Sequence, residues 1–438
     1  MGKKVLIITY YWPPSGGSGV QRWVYFSRFF KDMGLEPIVL TVDGEQASYR
    51  YIDNSLEGMV STVETHRTST LEPLKLYSQI VGGDKRKNIP QGIPGDKKPG
   101  LLEKIFRFVR GNFFVPDARV GWNKYAIKQA LELFKNNDIN TIITTGPPHS
   151  THLIGLYLKN KTGVNWIADF RDPWSEIYFN NLLYQTNYAK NKNESLEQKV
   201  LEKSDYVISV GPTLTKLLQV KLPVAEQGKF LTFHNGYDSD KMASLPQYKP
   251  GSKFIISHIG VLTDDRPVDT FIKALQQVIA EMPEMATNIE FHAVGDITEN
   301  NRADLQQVFT GQMLKLHGYM AHSKALEQMC ASDLLLNVLT VTAESKLVVS
   351  GKLMEYLASG RPMLCLGVTD GDAADLAKGY ELAKVCEQHD INGMAELIKT
   401  VYQRWKNGAN TSLARAGVEH YSRKAVSQRL AELIQNIR

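Results

Sequence analysis

A glutamate three residues after a lysine, with a serine and a glycine just ahead of the pair, lies in "SGKLMEYLASGRP", Ser350 to Pro362. Such a group can hold an anion and a diol side by side. The first turn of a helix leaves N–H groups unpaired and carries about half a positive charge. Ser350 and Gly351 have little side chain to shield those groups from a phosphate, and Lys352 adds a cation. Glu355, one turn in, can accept hydrogen bonds from a diol beside that phosphate. Phosphate next to diol describes a nucleotide. The same residues also allow a plainer reading, in which Glu355 satisfies the helix dipole and pairs with Lys352 on the surface. Upstream, "SHIGVLTDDRPVDTFIKAL" reads as strand, glycine loop and helix. Arg266 stands just ahead of that helix, where a guanidinium can reach a diphosphate.

The first half of the chain offers a second group. "ADFRDPWSE" crowds Asp169, Arg171 and Asp172 at one strand end, and "TTGPPHSTH" brings His149 to the end of the strand before it. Three charges at the mouth of a sheet mark a ligand site or a buried structural network. In "YYWPPSGGSGVQRW", Gly16, Gly17 and Gly19 let backbone approach a ligand ahead of a helix from about residue 20. This is not a full dinucleotide fingerprint, because position 22 is Arg22 rather than glycine. His149 and His152 have metal-ligand spacing but no convincing third ligand, and "DSD" at Asp238–Asp240 and "DGD" at Asp370–Asp372 read as turns. No metal is expected.

These residues need strand ends to hold them. Apolar runs alternate with helical patterns throughout, at Val5–Thr9, Ile38–Val42, Thr141–Thr145, Trp166–Asp169, Tyr206–Val210 and Phe230–Phe233. A second series comprises Phe254–Ile259, Ile289–Val294, Leu314–His317, Leu334–Val338 and Met363–Leu366. Near-continuous apolar strands separated by helices imply buried parallel sheets, hence an α/β chain of two doubly wound domains with ligands at the carboxyl ends of the strands. Two such domains are expected to face each other across a cleft. The chain's 438 residues agree with two cores. The boundary falls near Asp240 to Gly251, and Asp84–Gly100, rich in Lys, Gly and Pro, reads as a mobile insertion.

Composition narrows the class. A hydrophobic content of 43% with 22% charge is that of a soluble globular protein. Cys330, Cys365 and Cys386 form neither a disulfide framework nor a zinc spacing. The apolar run after Lys3 and Lys4 stops at Pro13 and Pro14, short of a signal peptide or a membrane span. A cytoplasmic location is expected, with no nucleic-acid partner. The net charge of +5 is unevenly placed. Between Asp84 and Phe114, Lys85, Arg86, Lys87, Lys97, Lys98, Lys104, Arg107 and Arg110 face only Asp84, Asp96 and Glu103. "LLEKIFRFVRGNFF" mixes these cations with Leu, Ile, Phe and Val. It suits a helix lying on an anionic membrane surface, and equally a packed helix behind a charged loop.

Taken together, "PPSGGSGVQR", "NGYD" at Asn235–Asp238, "IGVLTDDRP", "ASDLLLNV" and above all "GKLMEYLASGRP" resemble the retaining family-4 glycosyltransferases of the GT-B fold, over nearly the whole chain. The subgroup it is most similar to carries "DFRDPW" and includes many builders of bacterial cell-surface polysaccharide. The resemblance implies an N-terminal acceptor domain, 1–240, and a C-terminal nucleotide-sugar domain, 241–419, with the last helix, 420–438, crossing back onto the first. It implies a nucleotide diphosphate sugar as donor, a saccharide or lipid-linked acceptor, and no cofactor or catalytic metal. On this footing Glu355 holds the ribose and Arg266 the diphosphate, with Gly16, Gly17, Gly19, Ser350, Gly351 and Lys352 around the donor. His149, Asp169 and Arg171 fall on the acceptor side, and Arg171 with Asp172 stands where the family has a His-Asp pair. The family's first motif glutamate is replaced by Leu347 and its phosphate arginine by Val261. A nucleotide-sugar epimerase or hydrolase of the same architecture, and a non-catalytic sugar-nucleotide-binding protein, are the alternatives; an NAD oxidoreductase is disfavoured by Arg22.

Overall fold

The apolar runs form strands whose two faces are both covered by helices. A computed structural model describes residues 2–49, 52–72, 100–340, 345–347, 349, 351–409 and 417–437. Ser350 and most of the Asp84–Gly100 stretch lie outside the described residues. The chain divides into two units, Met1–Asn235 with Lys424–Arg438, and Gly236–Arg423.

In the first unit β1 (Lys3–Ile8), β2 (Leu35–Val42), β3 (Glu64–Thr68), β4 (Ile139–Gly146), β5 (Asn165–Phe170), β6 (Tyr206–Ser209) and β7 (Phe230–Thr232) make one sheet. Its order is β3-β2-β1-β4-β5-β6-β7, parallel throughout. Val5, Ile7, Ile143, Ile167 and Ile208 form a core with Trp23 and Phe30 of the Ser18–Asp32 helix. Val426, Leu430 and Ile434 of the final helix, Arg423–Asn436, close the same core. Lys3 Nζ fastens that helix by donating to Ile434 O at 2.8 Å and Ile437 O at 2.9 Å. Two strands are absent from the sequence reading: β3, "ETHRT", an edge strand with no apolar run to announce it, and the short edge strand Ala383–Cys386 of the second unit.

The second unit holds β8 (Phe254–Ile259), β9 (Ile289–Val294), β10 (Leu314–Gly318), β11 (Leu334–Val338), β12 (Met363–Leu366) and β13 (Ala383–Cys386). The order is β10-β9-β8-β11-β12-β13, again all parallel. Phe254, Phe291, Leu335 and Leu364 are fully buried between helices that include Asp269–Glu281 and Ile391–Lys406. "GKLMEYLAS" is helical from Gly351 to Ser359, and Gly360 ends it at φ +69°, a conformation that favours glycine. In each sheet the strand order reverses beside the first strand, between β1 and β4 and between β8 and β11. The carboxyl ends of those strand pairs are where such sheets open a ligand crevice.

Candidate functional site

At the second reversal a short loop leaves β8 through Gly260, at φ +131°. A β-carbon there would lie 1.7 Å from Lys352 Nζ, so glycine is what admits the lysine to this strand end. Arg266 reaches across from the β8 loop to the far side of the reversal: its Nε donates to Thr340 Oγ1, just past β11, at 3.0 Å. Thr340 in turn donates to Asp265 Oδ2 at 2.9 Å, which fixes the hydroxyl's orientation. Arg266 and Lys352 are close enough to repel. Burial, then the Arg266 charge, pull the Lys352 ammonium down to about 8, with Glu355 acting weakly the other way. His258 beneath them is fully buried and pushed down to about 3 by burial and the same two cations, so it adds no charge. Two cations crowd this strand end without an acid bonded to either among the described residues, a positive patch of the kind an anion complements. Gly351, on the helix start beside them, has open space over its α-carbon.

Glu355 is one turn into that helix, with its side chain 13% exposed. Its Oε1 lies 2.9 Å from His322 Nε2, the first residue of the His322–Cys330 helix. Sequence reasoning passed over His322. Its one signal is position: it follows β10 by a three-residue loop, at the same carboxyl end of the sheet.

The first unit finishes its reversal differently. Asp169, expected to face an acceptor, is wholly buried and fully engaged. It accepts from Arg22 Nη2 at 2.9 Å, Trp23 Nε1 at 2.8 Å and Thr145 Oγ1 at 2.8 Å. Arg22 is fixed at its other end on Phe233 O at 2.7 Å. Of the two readings of this acid, the geometry is that of the buried network, so any contact of Asp169 with an acceptor is indirect. Arg171 folds back over the reversal. Its Nε donates to Gly146 O at 3.1 Å, its Nη2 donates to Pro147 O, and Nη1 occupies the space a Gly19 side chain would need. Gly19 therefore admits Arg171, whereas Gly17, the N-cap of the Ser18–Asp32 helix at φ +109°, is open, and Gly16 precedes it half-buried. Asp172 is exposed.

His149 and His152 form a buried stack rather than a ligand pair. His149 lies flat on Trp174 at 5.1 Å, and His152 on Phe170 at 4.5 Å. Burial holds both rings neutral, His149 well below its ordinary value and His152 down to about 3. The N-terminus of the following helix is held by Asp117, which accepts from Ser150 N at 2.7 Å and Ser150 Oγ at 2.8 Å.

Among the described residues no group of three or more His, Cys, Asp or Glu is arranged to hold a metal ion. Asp238 caps a short helix through Lys241 N at 3.1 Å, and Asp370 pairs with Lys346.

The comparisons with known proteins agree with this architecture. Residues 253–404, within the second unit, match the family model "Glycosyl transferases group 1". A glycosyltransferase from Rickettsia africae superposes with a TM-score of 0.62 at 12% identity, covering all of both chains. HepE of Anabaena, solved in complex with UDP-glucose, gives 0.57 at 12% identity over 99% of this chain and all of that one. A TarM variant of S. aureus, in complex with Fondaparinux, α-GlcNAc-glycerol and UDP, gives 0.59 at 11% identity over 99% and 100%. At such identities the likeness defines the fold, and that fold is GT-B. No curated protein matches the chain in sequence.

Proposed function

We propose that the protein is a retaining glycosyltransferase, moving a sugar from a nucleotide diphosphate sugar to a saccharide or lipid-linked acceptor in the assembly of cell-surface polysaccharide. The observation that carries the reading is the pair Arg266 and Lys352, gathered at the β8/β11 reversal of the domain that matches group 1 glycosyl transferases. Breaking the anomeric C–O bond leaves an oxocarbenium-like sugar and a diphosphate bearing new negative charge. Arg266, Lys352 and the N–H groups at the Gly351 helix start are placed to stabilise that charge, each preorganised donor contributing about 3 kcal/mol. Glu355 takes the ribose hydroxyls in this account, with His322 steadying one carboxylate oxygen.

On the acceptor side, exposed Asp172 is the group free to orient a hydroxyl, while Arg171, Asp169 and the stacked His149 shape the wall behind it. No side chain is assigned as a nucleophile. Retention is then a front-face attack in which the departing phosphate takes the acceptor proton. Because fixed cations handle the phosphate charge, no metal is needed for transfer, and the work is assigned to the cytoplasmic face of the membrane. Acceptor-independent turnover would favour the epimerase or hydrolase alternative.

A transfer assay with a panel of nucleotide diphosphate sugars, read by anomeric NMR, tests this directly. One donor should give a product with the donor's anomeric configuration, at a rate unchanged by EDTA. Inversion, or loss of activity on chelation restored by magnesium or manganese, would sink the retaining, metal-free mechanism.

A further inference from the structure

The helix Leu101–Phe113 is mounted inside out. Its apolar stripe faces solvent: Leu101 is 75% exposed, Ile105 52% and Phe113 74%, with Phe108 and Val109 also exposed. Its inner side carries Arg107, 8% exposed and bonded through Nε to Glu103 Oε1 at 3.1 Å, and Gly111, packed on Leu183 O with no room for a side chain. Asn112 locks this orientation. Its Oδ1 accepts from Thr186 N and Oγ1, both at 2.7 Å, and its Nδ2 donates to Tyr184 O at 3.1 Å. The segment so fastened adds exposed Leu182, Tyr184 and Tyr188. Half of the large exposed apolar side chains among the described residues fall in these two segments.

We propose that this face docks on an anionic lipid bilayer, the helix lying flat with Ile105, Phe108 and Phe113 among the acyl chains and Tyr184 and Tyr188 at the headgroups. A contiguous apolar surface of this kind marks an interaction site. Charge selects the occupant: Lys104 is exposed on this helix, Lys190 and Lys192 are exposed on the helix Asn187–Lys203 that also carries Tyr188, and the sixteen residues that lead into the first hold five cations and one acid. A second copy would bring these cations together, whereas anionic headgroups complement them. The face also adjoins the acceptor side of the first unit. Four residues past the helix, Asp117 grips Ser150, the neighbour of His149. The inference rests on the transfer reading for one point only, that the acceptor is a lipid-linked sugar.

Sedimentation of the full chain with vesicles tests it, comparing phosphatidylglycerol mixed with phosphatidylcholine against phosphatidylcholine alone. The protein should bind the anionic vesicles and come off as salt rises. Ile105→Gln, Phe108→Gln and Phe113→Gln together should weaken binding roughly tenfold or more. The thermal midpoint should hold, since these side chains are exposed. Phe108→Trp should be quenched by brominated lipid. No vesicle binding, or unchanged binding and no quenching, overturns the proposal. So does a dimer in the ultracentrifuge that the triple variant dissolves, because the face would then belong to a second copy. Vesicle binding through these residues supports the surface even where no nucleotide sugar binds, a result that would count against the transfer reading alone.

Discussion

The two units complete the same parallel sheet in opposite ways. At the β1/β4 reversal the buried charges are answered from within: Asp169 is surrounded by Arg22, Trp23 and Thr145, Arg171 is fixed to two carbonyls, and the buried histidines are neutral, which leaves Asp172 exposed beside them. At the β8/β11 reversal burial, and then the neighbouring Arg266 charge, pull the Lys352 ammonium down to about 8. One end is self-contained and rigid. The other carries an electrostatic cost that an incoming anion removes, as expected of a donor site.

The sharpest way to break this contrast is to remove one charge from each side. Asp169→Ala leaves Arg22 buried without its counterion, so it should lower the unfolding free energy by about 3–5 kcal/mol in denaturant titrations. Arg266→Ala should leave stability nearly unchanged yet cut turnover by about 100-fold. If Arg266→Ala unfolds the chain while Asp169→Ala does not, the two ends have been assigned the wrong way round.

A subtler effect separates stability from binding. The Lys352 pKa is lower in the folded chain than its ordinary 10.5, so the lysine disfavours folding while both states are protonated. That penalty is present in full below about 8 and fades as pH rises from about 8 to 10.5. Donor affinity has the opposite sign: above about 8 the free protein loses the cation, and the dissociation constant should rise by up to about tenfold per pH unit. Lys352→Arg should flatten that profile in a calorimetric titration. The smallest effect belongs to His322. His322→Ala should raise the donor KM only a few-fold, because Glu355 keeps its charge and loses one hydrogen bond of about 1–3 kcal/mol. A fall in kcat with KM unchanged would mean that His322 acts on the reacting atoms instead.

Residue types carried much of this. β8, β9, β11 and β12 coincide with their apolar runs, because each begins and ends on a buried apolar residue even where a polar one lies inside it. β3 has no such run and is defined only by pairing with β2. At the sites, spacing brought out Lys352, Glu355 and Arg266, whose neighbours are fixed by the strand-loop-helix unit itself. It could not tell a ligand-facing acid from a buried one: Arg22, noticed only for spoiling a glycine fingerprint, is the partner that encloses Asp169. Periodicity showed that the Leu101–Phe113 helix has an apolar stripe but not which way it faces, and the structure turns it outward. His322 meets Glu355 only through packing of two helices, which no local pattern encodes.

The central claim is that the donor's diphosphate lies on Arg266 and Lys352 in the second unit. Calorimetric titration of a panel of nucleoside diphosphates into the wild type, Arg266→Ala and Arg171→Ala measures this without reference to acceptor or linkage. One diphosphate should bind the wild type and Arg171→Ala alike, and bind Arg266→Ala at least about tenfold more weakly, as the loss of a charge-assisted bond requires. Undiminished binding to Arg266→Ala, or a loss confined to Arg171→Ala, would contradict the account.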